Sequence, residues 1–123
     1  MGKTLFVDDD KDILDIYRRE CEDAGLTDVA FAETADAAIE ILKAGEIEHL
    51  ICDGKIPRMD GGLAREAEGL RVLTSATKLG VPERWVVSSM EELQRYACKE
   101  GLANFACAKL DVVSKLSRTP EEK

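Results

Sequence analysis

Three aspartates come directly after short apolar runs. Asp8 and Asp9 follow Leu5–Val7, and Asp53 follows Leu50–Cys52. Uninterrupted apolar runs of this length are typical of strands that are buried on both faces of a parallel sheet. Ligands of such sheets bind beyond the carboxyl ends of the strands, so Asp53 is a candidate for a chemically active carboxylate. Taken alone, Asp53 is equally compatible with a residue that caps a turn.

Two further polar residues end apolar runs. Ser88 follows Arg84–Val87, and Lys109 follows Phe105–Ala108. Carboxylates that lie close together repel and raise each other's pKa, a conflict that Mg²⁺ relieves through its preference for oxygen ligands. Lys109 can pair with a phosphoryl oxygen, and Ser88 can donate a hydrogen bond to another. Because phosphoryl transfer depends mostly on positioning and charge neutralisation, these residues suit an aspartate that attacks a phosphodonor.

Strand-like and helix-like segments alternate along the chain and place these residues. Five strands are predicted. Four lie at Lys3–Val7, Asp28–Ala32, Arg84–Val87 and Phe105–Ala108, and the third along the chain is led into by Glu46–Glu48 and ends at Asp53. Five helices are predicted from apolar residues at helical spacing, namely Ile13, Ile16, Tyr17, Cys21 and Ala24; Ala35, Ala38, Ile39 and Leu42; Leu63, Ala67, Leu70 and Leu73; Met90, Leu93 and Ala97; and Val112, Val113 and Leu116.

Polar and glycine residues mark the ends of the predicted helices. Asp10 stands where a side chain caps the first helix, and Gly25 stands where that helix ends. Thr34 precedes the second helix, which Gly45 ends. Gly69 lies inside the third helix and should weaken it by up to about 1 kcal/mol relative to alanine. A kink or an early end near Ala76 is therefore expected.

The alternation predicts an α/β fold: a doubly wound five-stranded parallel sheet of order 2-1-3-4-5 with helices on both faces, the flavodoxin-like arrangement. In this order strands one and three are neighbours. Since the carboxyl ends of parallel strands lie at the same edge of a sheet, we expect Asp8, Asp9 and Asp53 to meet in the ligand crevice.

Length and charge limit the possible classes of protein. The chain has 123 residues, enough for one domain, which we place at 1–118, with a polar tail or the start of a linker at 119–123. The formal net charge of −8 argues against direct contact with nucleic acid. No apolar run is long enough for a membrane span, and no signal peptide is recognisable, so a cytoplasmic protein is expected.

Cysteine and histidine patterns exclude several kinds of site. Cys21, Cys52, Cys98 and Cys107 form no C-x-x-C pair and stand at apolar positions, so we expect buried free thiols. His49 is the only histidine, which excludes a histidine metal cage and a Ser-His-Asp triad.

Five short motifs occur in a fixed order, each at a predicted strand end or just after one. They are Val7-Asp8-Asp9, Asp53 with Pro57 four positions on, Met59-Asp60-Gly61, Val86-Val87-Ser88 and Lys109. In this pattern the chain resembles a response-regulator receiver domain, the phospho-acceptor module of two-component signalling. The resemblance covers essentially the whole chain.

This resemblance implies a function and a set of ligands. Asp53 would accept a phosphoryl group from a histidine kinase or a histidine phosphotransfer protein in a Mg²⁺-dependent reaction. Asp8, Asp9 and Asp53 would hold the ion together with the main-chain carbonyl of Lys55. The domain would then signal to a downstream protein by a change of conformation, and the sequence does not identify that protein.

Strand five departs from the family pattern. By the same resemblance, Ser88 and Lys109 sense the phosphoryl group and an aromatic residue of strand five takes part in switching. That residue usually precedes the lysine by three positions, whereas Phe105 precedes Lys109 by four. Unless a bulge absorbs the extra residue, either Lys109 misses the site or Phe105 faces the opposite side. Leu110 replaces the usual proline, which predicts a trans bond after Lys109.

Two variable positions bear on the lifetime of an aspartyl phosphate. Lys55 can place a cation over the phosphoryl group, and Met90 offers no group that could orient a hydrolytic water. Slow hydrolysis is therefore our hypothesis. The alternative reading of Lys55 is a solvated surface cation.

Two other functions remain open. A pseudo-receiver would use the same fold for protein interaction without phosphorylation. A haloacid-dehalogenase-like phosphatase would use Asp8-Asp9-Asp10 as an Asp-x-Asp motif, although the chain has no room for a cap domain. We expect no enzyme activity beyond self-phosphorylation and slow autodephosphorylation.

Overall fold

The computed structural model describes residues 2–109 and Val112. The strands in this part of the chain are β1 (Lys3–Val7), β2 (Val29–Ala32), β3 (Ile47–Asp53), β4 (Glu83–Val87) and β5 (Phe105–Cys107). The helices are α1 (Lys11–Ala24), α2 (Ala35–Lys43), α3 (Glu66–Lys78) and α4 (Glu91–Lys99). The predicted last helix around Val113 and Leu116, and the tail at 119–123, lie outside the described residues.

The five strands form one parallel sheet in the order β2-β1-β3-β4-β5. The pairing aligns the carboxyl ends of the neighbouring strands β1 and β3. Val7 pairs with Cys52, so Asp8 and Asp53 each follow a paired residue by one position. Asp53 itself pairs with Val87 of β4. The prediction of a doubly wound α/β sheet with this strand order is confirmed.

Alternating strand residues divide the core into two layers, because successive side chains point to opposite faces of a sheet. The layer on the α1 side contains, among others, Phe6, Leu14, Tyr17, Ile51 and Trp85. The opposite layer packs α2, α3 and α4 against the sheet and contains, among others, Leu5, Ile39, Leu50, Val72, Val86 and Ala97. Burying one such side chain contributes about 1.5–3 kcal/mol.

Side-chain caps position the helices that follow β1 and β2. The Asp10 side chain caps α1 by accepting a hydrogen bond from the Asp12 amide at 2.9 Å. Thr34 Oγ accepts a hydrogen bond from the Ala37 amide at 3.1 Å and caps α2. Gly25 ends α1 with a φ angle of 77°, a left-handed conformation that favours glycine. The predictions for Asp10 and Gly25 are confirmed.

Helix α3 differs from its prediction at both ends. It begins at Glu66 rather than near Leu63, because the backbones of Ile56 and Arg65 pair through hydrogen bonds of 2.9 and 3.3 Å and keep the chain extended there. Leu63 is 75% exposed. The helix also continues past Ala76, so the predicted early end is wrong.

The prediction of a buried Cys98 is wrong. Ala97 of α4 is fully buried, and Cys98, one position further along the helix, points away from the sheet and is exposed. Ala24, Ala67 and Met90, which continue the apolar spacings of the sequence, are exposed as well. Cys21, Cys52 and Cys107 are buried, and none of the four cysteines, all of which the structure describes, forms a disulfide.

Arg84 ties the start of β4 to the turns around it. Its guanidinium donates hydrogen bonds to the carbonyls of Leu102 and Gly101, both at 3.1 Å, and of Val81 at 2.6 Å. The Arg84 amide also donates to Asn104 Oδ1 at 2.8 Å. The segments that lead into β4 and β5 therefore share one anchor.

The described helices give no candidate for a membrane span. None of them, over residues 2–109, combines the length and the apolar character that crossing a bilayer requires.

Candidate functional site

Three carboxylates meet beyond the ends of β1 and β3. One carboxylate oxygen from each of Asp8, Asp9 and Asp53 lies within 4.8 Å of the other two. Asp8 is 1% exposed and Asp53 is 9% exposed, whereas Asp9 lies at the surface. Because β1 and β3 are paired neighbours, the fold gathers these acids as the sequence predicts.

Two backbone amides and one lysine hold the buried carboxylates. The Asp10 amide donates to Asp8 Oδ1 at 2.9 Å, and the Lys55 amide donates to Asp53 Oδ1 at 3.3 Å. Lys109 Nζ lies 3.1 Å from Asp8 Oδ2 and 3.2 Å from Asp53 Oδ2. Lys109 therefore reaches the site and bridges both acids.

The cluster contains more acidic than basic groups: three carboxylates and one lysine. Burial raises the pKa of Asp8 from 3.8 to about 6, and the charge of Asp53 adds to this, although the Asp10 amide and Lys109 act in the opposite direction. Burial also raises the pKa of Asp53, against the lowering effects of Lys109 and the Lys55 amide. Burial disfavours the charged form of Lys109, but its contacts with both carboxylates outweigh this and raise its pKa above 10.5. A hard divalent cation suits such an excess of carboxylate charge.

The raised pKa of Asp8 predicts that the metal-free protein loses stability as the pH rises. The folded chain binds this proton more tightly than the unfolded chain, so the stabilisation is complete below pH 3.8 and is lost as the pH rises through about 6. Between about pH 5 and about pH 7, the free energy of unfolding of wild type should fall by about 1 kcal/mol more than that of Asp8→Asn. Urea titrations measure this, and equal pH dependence in the two proteins would contradict it.

Comparison with known families decides which family this is. The sequence matches the family model of the response regulator receiver domain over residues 4–82, more than half of the chain. The chain belongs to this family. No curated protein matches the sequence of this receiver domain.

Solved structures similar to this receiver domain show its fold. The CheY-like receiver domain protein from Methanospirillum hungatei JF-1 has a TM-score of 0.75 at 24% identity, covering 94% of this chain and 90% of that one. The receiver domain of the Francisella response regulator 1452 has a TM-score of 0.74 at 20% identity, covering 95% and 91%. A de novo designed Rossmann 2x3 protein reaches 0.68 at 18% identity, covering 99% and 91%. Because a designed protein has the same fold, the fold by itself does not indicate a function.

Ser88 follows the last residue of β4 in the receiver domain and lies beside the acid cluster. It is 8% exposed, and its Oγ accepts a hydrogen bond from the Met90 amide at 3.0 Å. A Cβ added to Gly54 would lie 3.3 Å from the Ser88 Cβ, so Ser88 borders the residue that follows Asp53. Gln94 donates its side-chain amide to the Ser88 carbonyl, a contact that the sequence pattern did not predict.

Strand β5 of the receiver domain shows how the extra residue is accommodated. It pairs with β4 without a break in register. Phe105 packs on Trp85 in the α1-side layer, with ring centroids 4.6 Å apart, whereas Ala106 packs in the opposite layer. Lys109 therefore contacts Asp8 and Asp53. The Phe105 side chain lies on the α1 side of the sheet, opposite to the side that α4 covers. Its switching role stays a prediction, and the bond from Lys109 to Leu110 lies partly outside the described residues.

Gly69 of α3 sets the spacing between that helix and β3, the strand that ends at Asp53. A Cβ added at Gly69 would lie 2.7 Å from the carbonyl carbon of Gly54 and 2.9 Å from the carbonyl oxygen of Asp53. Glycine thus lets the backbone of α3 pack directly on the segment that carries Asp53. The sequence signal for this close packing was a glycine inside a helical pattern.

The remaining predicted positions divide into two groups. Lys55 and Met90 are exposed and lie close to the cluster. The Lys55 backbone amide donates a hydrogen bond to Asp53 Oδ1, and the Met90 backbone amide donates one to Ser88 Oγ. Asp10 uses its side chain to cap α1 and does not join the group of three acids. This arrangement disfavours the Asp-x-Asp phosphatase reading.

Proposed function

We propose that this receiver domain accepts a phosphoryl group on Asp53 from the phosphohistidine of a histidine kinase or a histidine phosphotransfer protein, in a Mg²⁺-dependent reaction. Receiver domains as a family interact with such proteins. The observation that carries the proposal is the bridged acid cluster: Lys109 contacts both Asp8 and Asp53, and Asp9 completes the group within 4.8 Å.

The donor set supports a magnesium ion. Asp8, Asp9 and Asp53 would hold it together with the main-chain carbonyl of Lys55. Bound there, the ion would neutralise charge on the transferring phosphoryl oxygens. Hard carboxylate oxygens are suitable ligands. Burial is the main cause of the raised pKa of Asp8, and the negative charge of Asp53 adds to it.

The protein residues supply the nucleophile and the contacts that follow transfer. A carboxylate oxygen of Asp53 attacks phosphorus, and the bond from phosphorus to the donor imidazole nitrogen breaks with its electron pair left on that nitrogen. Lys109 then exchanges its contact with Asp53 for a phosphoryl oxygen. Ser88 turns its hydroxyl away from the Met90 amide to donate to another. These movements favour one of two pre-existing conformations and change the surface of α4 and β5.

Incubation with acetyl phosphate and Mg²⁺, followed by intact mass, tests the proposal. Wild type should gain the mass of one phosphoryl group, and both the EDTA-treated protein and Asp53→Asn should gain none. Circular dichroism of Asp53→Asn serves as the control for folding. A folded wild type that stays unmodified at saturating donor and metal would refute the proposal, and a modified Asp53→Asn would place the acceptor elsewhere.

A pseudo-receiver is the second candidate, and the position of Phe105 favours it. The aromatic ring packs on Trp85 in the α1-side layer, away from the layer that holds α4. A domain of this kind would bind a partner without phosphorylation. Mg²⁺ titration followed by NMR separates the two candidates, because an inert domain should show no shifts at Asp8 and Asp53.

The side chains of Lys55 and Met90 predict a slow loss of the phosphoryl group. In the double variant Lys55→Asn with Met90→Glu, the cation near the phosphoryl group is removed and a carboxylate that can orient water is introduced. We expect a shorter half-life of the aspartyl phosphate, measured by intact mass after removal of the donor. An unchanged or longer half-life counts against the hypothesis. No other turnover is expected of the domain.

A further inference from the structure

Residues 88–90 connect β4 to α4, and hydrogen bonds hold this segment at both ends. The Ser88 amide donates to the Cys107 carbonyl at 3.2 Å, and the Met90 amide donates to Ser88 Oγ at 3.0 Å. The Met90 carbonyl accepts a hydrogen bond from the Gln94 amide at 3.1 Å. The serine is thus joined to β5 on one side and to the first turn of α4 on the other.

The Gln94 side chain adds a second link between α4 and this segment. Its amide group donates to the Ser88 carbonyl, six positions back along the chain. Ser88 is 8% exposed, and a backbone carbonyl that is withdrawn from water needs a donor. Gln94 therefore contacts both ends of the segment: Met90 through its main chain and Ser88 through its side chain.

The first turn of α4 is itself fixed against the residue that follows the acceptor. Leu93 is buried, and a Cβ added to Gly54 would overlap the Leu93 side chain. The same Cβ would lie 3.3 Å from the Ser88 Cβ. Glycine at this position thus lets Leu93 and Ser88 pack over the backbone next to Asp53. As a consequence, the Gln94 side chain starts from a fixed position relative to the acceptor carboxylate.

We propose that Gln94 is a positioning residue for phosphoryl transfer, because it holds the main chain of Ser88 so that the serine hydroxyl stays beside Asp53. This role rests on the proposed function, the acceptance of a phosphoryl group by Asp53. Rotation of the Ser88 side chain, from the Met90 amide to a phosphoryl oxygen, then forms the new contact without a movement of the main chain. Since the serine is already in place, little entropy is lost when its hydroxyl meets the charge that develops during transfer.

A purely structural role of this side chain predicts a different result. If Gln94 only completes the hydrogen bonding at the start of α4, its loss lowers stability and leaves the rate of transfer in the folded protein unchanged. If Gln94 positions Ser88, its loss lowers the rate. That effect must then disappear when the serine hydroxyl is absent.

The first measurement is the rate of phosphorylation of Gln94→Met by acetyl phosphate and Mg²⁺, followed by intact mass. Methionine has a helix propensity similar to that of glutamine and lacks the N–H donor. We expect the rate constant at saturating donor and metal to fall about fivefold, the effect of losing one hydrogen bond. The Mg²⁺ concentration for half-maximal rate should stay as in wild type, because the three acids of the cluster keep their carboxylates.

Arg95→Met is the matched control, because Arg95 is an exposed residue at the next position of α4 and receives the same new side chain. It should leave both the rate constant and the Mg²⁺ dependence unchanged. An equal loss of rate in Arg95→Met would overturn the inference, since any change in this helix would then have the same effect.

A double variant tests whether Gln94 acts through the serine hydroxyl. Ser88→Ala should slow transfer at least as much as Gln94→Met does, and the variant that carries both changes should be no slower than Ser88→Ala alone. Effects that multiply in the double variant, or a wild-type rate in Gln94→Met, would overturn the inference.

NMR relaxation of the metal-free protein separates this inference from the proposed function. In Gln94→Met the amide order parameters of residues 88–90 should fall from about 0.85 toward about 0.6, whereas Arg95→Met should keep them high. Unchanged order in Gln94→Met would overturn the inference even if wild type is phosphorylated. A wild type that gains no phosphoryl group would refute the proposed function and, with it, the role of Gln94 in transfer.

Discussion

Replacing Asp8 by asparagine should stabilise the metal-free protein and, at the same time, remove most of its affinity for Mg²⁺. Asp8 is 1% exposed, and its pKa of about 6 means that the charged form is unfavourable in the folded chain. Asparagine keeps an oxygen for the Asp10 amide and removes the charge. Lys109 keeps its contact with Asp53. We expect the free energy of unfolding to rise by about 1–2 kcal/mol at neutral pH.

The loss of metal affinity follows from the same substitution. Asp8 is one of three acids in the cluster, and changing even an indirect partner of a metal ligand costs about 10–100-fold in affinity. A loss of at least about tenfold is therefore expected for a ligand itself. Isothermal titration calorimetry and urea denaturation measure the two effects separately.

Asp28→Asn is the matched control for Asp8→Asn, because Asp28 is exposed and the change in formal charge is the same. This control should change neither stability nor Mg²⁺ affinity by a measurable amount. An Asp8→Asn protein that is less stable than wild type would show that the contact with Lys109 outweighs the burial of charge. Retained affinity would show that the metal lies elsewhere.

Replacing Gly69 by alanine should destabilise the fold by about 2 kcal/mol, although alanine favours a helix by up to about 1 kcal/mol. The new Cβ would overlap the backbone of Gly54 and approach the carbonyl of Asp53 to 2.9 Å. Because backbone atoms cannot move aside as a side chain can, α3 or the end of β3 must shift. We also expect weaker Mg²⁺ binding, since Asp53 moves relative to Asp8.

Thr77→Ala is the control for Gly69→Ala, since Thr77 is an exposed residue of the same helix. Its effect on urea denaturation should stay within about 0.5 kcal/mol. A Gly69→Ala protein that is as stable as wild type would show that α3 does not pack tightly on the backbone of Asp53 and Gly54.

The acid cluster was predictable because it depends on the ends of apolar runs. The apolar runs Leu50–Cys52 and Leu5–Val7 are each typical of a buried strand. The alternation of strands and helices then predicts that these two strands are neighbours in the sheet. Asp53 and Asp8 therefore meet in the structure as the sequence predicts. The sequence did not decide whether Lys109 reaches the acid cluster. Side chains alternate between the two faces of a strand, so one extra residue in β5 moves each following side chain to the opposite face.

The missed features depend on contacts between distant segments. The spacing of Leu63, Leu70 and Leu73 suggests an earlier start for α3, but pairing of Arg65 with Ile56 delays it. Gly69 looked unfavourable because helix propensity describes an isolated helix and contains nothing about the backbone that packs against it. In both cases tertiary structure overrides a local preference.

The anchor at Arg84 limits how this half of the molecule can move. The guanidinium holds the carbonyls of Val81, Gly101 and Leu102 at the start of β4 and β5. Ser88 is four residues from Arg84, about 13 Å at the rise of a strand. Because β4 is also paired with β3 and β5 as far as Val87, both ends of the strand are held. Any displacement of the anchored turns would therefore be carried to Ser88 by β4 as a unit.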